Sequence, residues 1–239
     1  MNKMLMMKKR TYHGADLKLW AMWSMLIDHA GAVLIENTSL YQITGFRMLA
    51  VACRLIGRIS FPLICFLLIE GFCHTEDRRK YLMRMGCFAL ISEIPFDLAF
   101  FGKLDLQRQN VFFTLFTGIL LLYALEKAET LEHSPLIRSF MMAAAILAGC
   151  AATTAGRFDY SYMGILLIAA LYLFRKDRKK QCIAGAVLSL YELTAALAFI
   201  LVGKYNGEKG DGRLPRNWFY IFYPLHLLVL SAIVFLLKM

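Results

Sequence analysis

Asp28 and His29 stand side by side in LKLWAMWSMLIDHAGAVLI, residues 17–35, an otherwise apolar run long enough to cross a bilayer. A helix rises about 1.5 Å per residue and the hydrocarbon core is about 30 Å thick, so neither side chain reaches an interface. An ionisable group at that depth costs about 3 kcal/mol by insertion measurements. Two in succession point to a site with partners elsewhere in the bundle. A neutral imidazole titrates nearest pH 7, which makes His29 the candidate general base. Asp28 and Glu93 complete the candidate catalytic set. Helical neighbours point about 100° apart, so Glu93 or Glu192 on a facing helix suits the orienting role better than Asp28. The competing reading is that these groups only bond one helix to the next.

Other polar residues fall into layers once the apolar runs are laid across a membrane. Glu93, Glu192 and His226 lie at about the depth of His29, near the midplane. Polar groups at a common depth satisfy one another or surround a cavity. Arg58, Asp97, Asn110, Asp159 and Tyr160 lie nearer one mouth, and these residues, with Glu192, Tyr223 and His226, are candidates for holding a substrate. In YIFYPLHL, His226 follows Pro224 by two, where a kink frees backbone carbonyls to accept its proton. The loop holding His74, Arg78, Arg79 and Lys80 is either a topological anchor or a seat for a phosphate such as that of coenzyme A, because arginine pairs bidentately with phosphate. No helix carries HxxxH or HxxE spacing, so no metal site is expected.

The elements that must position these residues are helices. Of 239 residues, 59% are hydrophobic and the mean hydropathy is +0.55, which implies an all-α, polytopic bundle in one domain. About eight spans are expected, near 17–35, 56–73, 81–101, 110–125, 136–153, 160–174, 181–202 and 218–237. Residues 1–16 read as a basic leader without a cleavage site, residues 36–58 as an amphipathic surface helix, and 206–213 as a polar Gly-rich loop. Pro95 should kink the third span near Ser92–Glu93. More Lys and Arg fall on the N-terminal side, so the expected arrangement is N-in and C-in. Arg47, Arg54 and Arg58 weigh against it, unless those arginines serve a site. The net charge of +10 has the same origin in loops, and no nucleic-acid-reading motif accompanies it. The six cysteines form no CxxC pair and read as small buried hydrophobes.

In order along nearly the whole chain, LKLWAMWSMLIDHAGAVL, RLIGRISFPLICFLLIEGFCHT, ALISEIPFDLAF, QNVFFTL, DYSYMGILLI and FYPLHL resemble the TraX family of integral membrane proteins. The IDH, GRxxFP, SEIPFD and NVFFTL stretches are the most specific. The family's namesake acetylates the N-terminal amine of pilin, and the family is distantly similar to membrane acyltransferases with an intramembrane catalytic histidine. The resemblance therefore implies a bacterial inner-membrane enzyme that takes acetyl-CoA as donor and an amine or hydroxyl acceptor, a peptide N-terminus or a small molecule, on the far side. It places the catalytic histidine at His29. The functional alternative is a proton-coupled transporter with a mid-membrane His/Glu site, although no inverted repeat supports one.

Overall fold

The computed structural model describes residues 11–131, 134–210 and 217–237. The basic residues of the leader before Thr11, and the last part of the 206–213 loop, lie outside them. All described regular elements are helical: α1 (Gly14–Ala30), continued by a π-helical turn (Gly31–Glu36), α2 (Thr44–Gly57), α3 (Ser60–His74), α4 (Arg78–Phe101), α5 (Val111–Thr130), α6 (Pro135–Ala155), α7 (Ser161–Leu173), α8 (Arg178–Ser189), α9 (Ala198–Gly203) and α10 (Trp218–Leu237). By length and composition, five stretches could cross a membrane: Thr44–His74, Val111–Thr130, Pro135–Ala155, Arg178–Gly203 and Trp218–Leu237. α1 and α4, which carry most of the mid-depth polar residues, do not meet that criterion.

α3 is the centre. Apolar and small residues cover it on every side in SFPLICFLLIEGF, and most of them are buried against α1, α5, α7 and α9. α6 is the opposite case: only Gly149 and Thr153 are buried, and its Ala- and Leu-rich face points outward, where lipid is as good a solvent as protein. Polar pins fix the register of α1 against the long helix α2–α3. Ser24 donates to the Gly57 carbonyl at 3.3 Å and Ser60 to the Ala21 carbonyl at 3.0 Å.

Two features differ from the sequence expectations, while Pro95 lies inside α4 without ending it. The segment expected to be a separate surface helix runs into the second span, since Arg58 and Ile59, between α2 and α3, both keep right-handed helical dihedrals. The seventh span is not a single crossing. A 3₁₀ segment, Leu190–Leu197, separates α8 from α9, with non-helical dihedrals at Glu192 and Leu193. A Cβ on Gly185 would fall 2.2 Å from Phe199 Cζ, whereas a straight helix would put those positions about 21 Å apart. The chain therefore folds back, and α8 and α9 form a re-entrant hairpin.

That reversal moves everything after it to the other side. The Lys204 carbonyl accepts from Thr11 N–H at 2.9 Å, and Arg178 meets Glu70 at 3.5 Å, so both feet of the hairpin stand at the end of the bundle where α1 begins. α10 starts near that end, with the Arg84 guanidinium 5.2 Å from the Tyr220 ring centroid, and finishes against the Gly31–Glu36 turn. It runs parallel to α1 and α4. The two ends of the described chain therefore lie at opposite ends of the bundle, which corrects the N-in, C-in arrangement. An eight-span count would place positions 13 and 206 on opposite faces of the membrane. The hairpin places them on one face, with Asn206 Nδ2 2.9 Å from His13 Nδ1. In a cysteine-free background, single cysteines at 13 and 206 should react with an impermeant maleimide from the same side, and labelling from opposite sides would refute the hairpin.

Candidate functional site

Two helices start inside the bundle. α7 has 13 residues, about 20 Å of helix, too little to cross the hydrocarbon. α5 begins deep as well, because its N-cap Asn110 donates to the Ala89 carbonyl at 2.8 Å, half-way along α4. The loop between α4 and α5 thus dips into the bundle beside the one between α6 and α7. Paired backbone hydrogen bonds hold the two together: Gln109 N–H to the Arg157 carbonyl at 3.2 Å, and Asp159 N–H to the Gln109 carbonyl at 2.9 Å. Above the starts of these two helices lies a cavity of about 780 Å³. It opens at the end of the bundle away from the start of α1.

His29 lines the cavity. Its Nδ1 lies 2.7 Å from His226 Nε2, and the two rings are parallel to within 2°. His226 Nδ1 lies 2.7 Å from the Phe222 carbonyl. A carbonyl only accepts, so His226 Nδ1 carries the proton and its neutral Nε2 accepts from His29 Nδ1–H. That chain fixes the tautomer of His29 and leaves its Nε2 lone pair without a partner among the described residues. Phe100 and Tyr223 approach the His29 ring edge-on, at 5.4 and 5.9 Å between centroids. The π-helical turn begins two residues later, a distortion common at functional sites. The orienting partner of His29 is therefore His226 and not a carboxylate. The carbonyl that receives the His226 proton is that of Phe222, while the one Pro224 frees, four residues before it, belongs to Tyr220.

Asp28 lies on the other side of α1, buried. Its Oδ2 accepts from Arg54 Nη1 at 2.6 Å, and Oδ1 has no partner. Gly57 makes room for it, since a Cβ there would lie 2.1 Å from Asp28 Oδ1. Arg54 also faces Glu36 at 3.8 Å. Arg58 pairs with Glu192 at 3.2 Å, which places the break in the hairpin against α2, where Thr194 also donates to the Leu55 carbonyl. Tyr160 stacks on Phe61 at 3.5 Å, and Thr114 donates to the Asp159 carbonyl. Arg157, Tyr160 and Ser161 all have positive φ without being glycine. Strain of this kind costs about 1–3 kcal/mol per residue and concentrates at functional sites.

Of the residues singled out in the sequence, the cavity gathers Asp28, His29, Arg58, Asp159, Tyr160 and Tyr223, with His226 and Glu192 one contact behind. Glu93 and Asn110 are spent on each other: Glu93 accepts from the Asn110 backbone and side chain, and Asn110 caps Phe112 N–H at 3.0 Å. Asp97 holds the Asp105 N–H at 2.9 Å. These three build the deep start of α5 and do not line the cavity. His74, Arg78, Arg79 and Lys80 lie at the far end. His74 bonds the Glu70 carbonyl at 2.8 Å, and Arg78 is held by Glu126 and packs over Phe72. Lys80 pairs with Asp77, whose carboxyl is held below its usual range by the Lys80 backbone N–H and then its side chain. Sequence reading noted Arg54 only as one of three arginines that could serve a site, and it sits one helical turn before Arg58 on the same face.

Together these features define a polytopic helical membrane protein with a hydrogen-bonded histidine pair at a cavity that opens at one end. A family model described as TraX protein matches residues 13–234, and the chain belongs to the TraX family. It is 29% identical over 255 residues to a Dichelobacter nodosus protein named "Probable fimbrial assembly protein FimC, serogroup H1", an alignment that covers 92% of this chain and 96% of that one. No solved structure matches.

Removing one partner of a buried ion pair typically costs 3–5 kcal/mol, because the other charge stays behind uncompensated. Arg54→Met should therefore lower stability by about 3 kcal/mol in a reversible detergent unfolding titration. Asp28→Asn added to it should restore a large part. Equal stabilities for the single and double variants would show that the pair does not act as a unit.

Proposed function

We propose that this protein is an acetyltransferase of the bacterial inner membrane that moves an acetyl group from acetyl-CoA to the N-terminal amine of a pilin-like subunit. The observation that carries the reading is the His226–His29 chain, which leaves one unpartnered, tautomer-fixed imidazole nitrogen beside a cavity large enough for a peptide end. The family supplies the class of reaction, and the name of the Dichelobacter relative supplies the setting of surface-fibre assembly.

In this reading the start of α1 faces the cytoplasm and the cavity opens outward. Arg47, Arg54, Arg58, Lys103, Arg108 and Arg157 lie toward the cavity end, and the other described Lys and Arg lie toward the opposite end, as the positive-inside rule requires. α1, α2–α3, α4, α6 and α10 run from end to end, α5 and α7 run from beneath the cavity to the basic end, and α8–α9 enters and returns. The acceptor comes in through the mouth. The donor thioester approaches from the basic end, where Arg79 and its neighbours meet the coenzyme's phosphates. Leu17, Ala21 and Met25 are buried on the way to His29, so the helices must part there to admit the acyl arm, a gating step of the kind many enzymes use.

At the site the neutral amine attacks the thioester carbonyl. His29 Nε2 takes the amine proton as the C–N bond forms and delivers it to the sulfur as the C–S bond breaks. His226 accepts from the opposite side of the imidazole and keeps the ring aligned while it is charged. Arg58, Tyr160 and Tyr223 border the space where the oxyanion develops. Exclusion of bulk water protects the thioester from hydrolysis.

The test is transfer of labelled acetyl from acetyl-CoA to a pilin N-terminal peptide, by the protein in nanodiscs. His29→Ala should lose about 10²–10⁴-fold, the range for general base catalysis. His226→Ala should lose less, and His226→Gln, whose amide can still accept from His29, should recover part. Transfer by His29→Ala at the wild-type rate, or no transfer by the wild type, overturns the proposal.

A further inference from the structure

The charges around the cavity do not cancel. Four arginines line it, and two of them are committed inside, Arg54 to Asp28 and Arg58 to Glu192. The other two, Arg108 and Arg157, have no carboxylate partner among the described residues and are exposed at the mouth. Their placement is built. The backbone hydrogen bonds that join Gln109 to Arg157 and Asp159 set the two loops side by side, and Arg157 is held with φ at 54°. Of the carboxylates on these loops, Asp105 accepts from Gln107 N–H and Asp159 from Tyr160 N–H, so both are turned to their own backbone. The loops lie at the end of the bundle where the cavity opens, and both arginines are exposed there. Below them the walls are aromatic: Phe61, Phe96, Phe100, Phe158 and Tyr223.

We propose that Arg108 and Arg157 form an anion subsite at the mouth, which selects peptide acceptors carrying a carboxylate within the first few residues behind an apolar N-terminus. The apolar first residue lies against the aromatic walls near His29, and the acidic side chain stays at the mouth between the two guanidinium groups. Arginine is suited to this role because its planar fork meets a carboxylate with two parallel hydrogen bonds. This deepens the acyl-transfer reading by naming the substrate class, and rests on that reading only for which end of the peptide reacts.

The test is binding, which needs no donor and no turnover. Fluorescently tagged peptides, N-terminally acetylated, with an apolar first residue and either Glu or Gln at one of the next four positions, are titrated with the protein in phosphatidylcholine nanodiscs. The wild type should bind the Glu peptide about tenfold more tightly than the Gln peptide at low salt, and the ratio should shrink as salt rises. In the R108Q/R157Q double variant the ratio should fall to about one, with the thermal unfolding midpoint unchanged. Equal binding of the two peptides by the wild type, or a ratio that survives the double substitution, overturns the proposal. So does loss of the wild-type preference when phosphatidylglycerol is added to the nanodiscs, since a lipid phosphate is then the occupant. Acetyl transfer that proceeds without preference for the acidic peptide sinks this inference alone and leaves the transferase reading intact.

Discussion

Inside a bilayer no water is at hand to complete a hydrogen bond, and everything in this structure follows from that shortage. An apolar side chain gains little by choosing protein over lipid, so Leu and Phe do not determine which helix touches which. Polar groups do, because each one left unpaired at depth is expensive. The serines of α1 and α3, the Asp28–Arg54 and Arg58–Glu192 pairs, Asn110 on α4 and the two histidines are the contacts that fix the bundle. Of the buried side-chain atoms left without a partner among the described residues, Asp28 Oδ1 belongs to a residue that lines the cavity.

The same economy explains the shape of the site. A cavity in a helical membrane protein needs helices that stop short, and a helix that stops inside the bundle exposes backbone groups that must be met. α5 solves this with Asn110, which caps its own helix while bonding back to α4. α7 has no side-chain cap, and the chain enters it through left-handed residues instead. The residues that terminate helices are therefore the residues that shape the cavity.

Much of this was legible in the sequence, and what was missed has physical causes. The spans ending or starting at Phe101 and Asn110 were readable because charge or a capping residue coincides with the change in hydropathy. The common depth of His29 and His226 could be read from residue counts, since rise per residue is constant. Their direct contact could not, because counting along a helix gives height and not azimuth. Glu93 misled for that reason: it has the right height but faces Asn110. The hairpin was invisible because LSLYELTAAL is as hydrophobic as a crossing helix. The chain turns at Glu192 and Leu193, and leucine at positive φ does not announce a turn as glycine would.

The hairpin also bears on how the protein is made. α8 has 12 residues, about 18 Å of helix, and α9 is shorter still, so neither can be handed to the bilayer as a finished crossing segment. Its tip carries Glu192, which has no place in lipid until Arg58 receives it. The earlier helices must therefore already stand together, with Arg58 waiting, before this stretch can settle. α10, which follows the hairpin in the chain, brings His226 to His29, so the histidine pair comes into being only when that helix has docked.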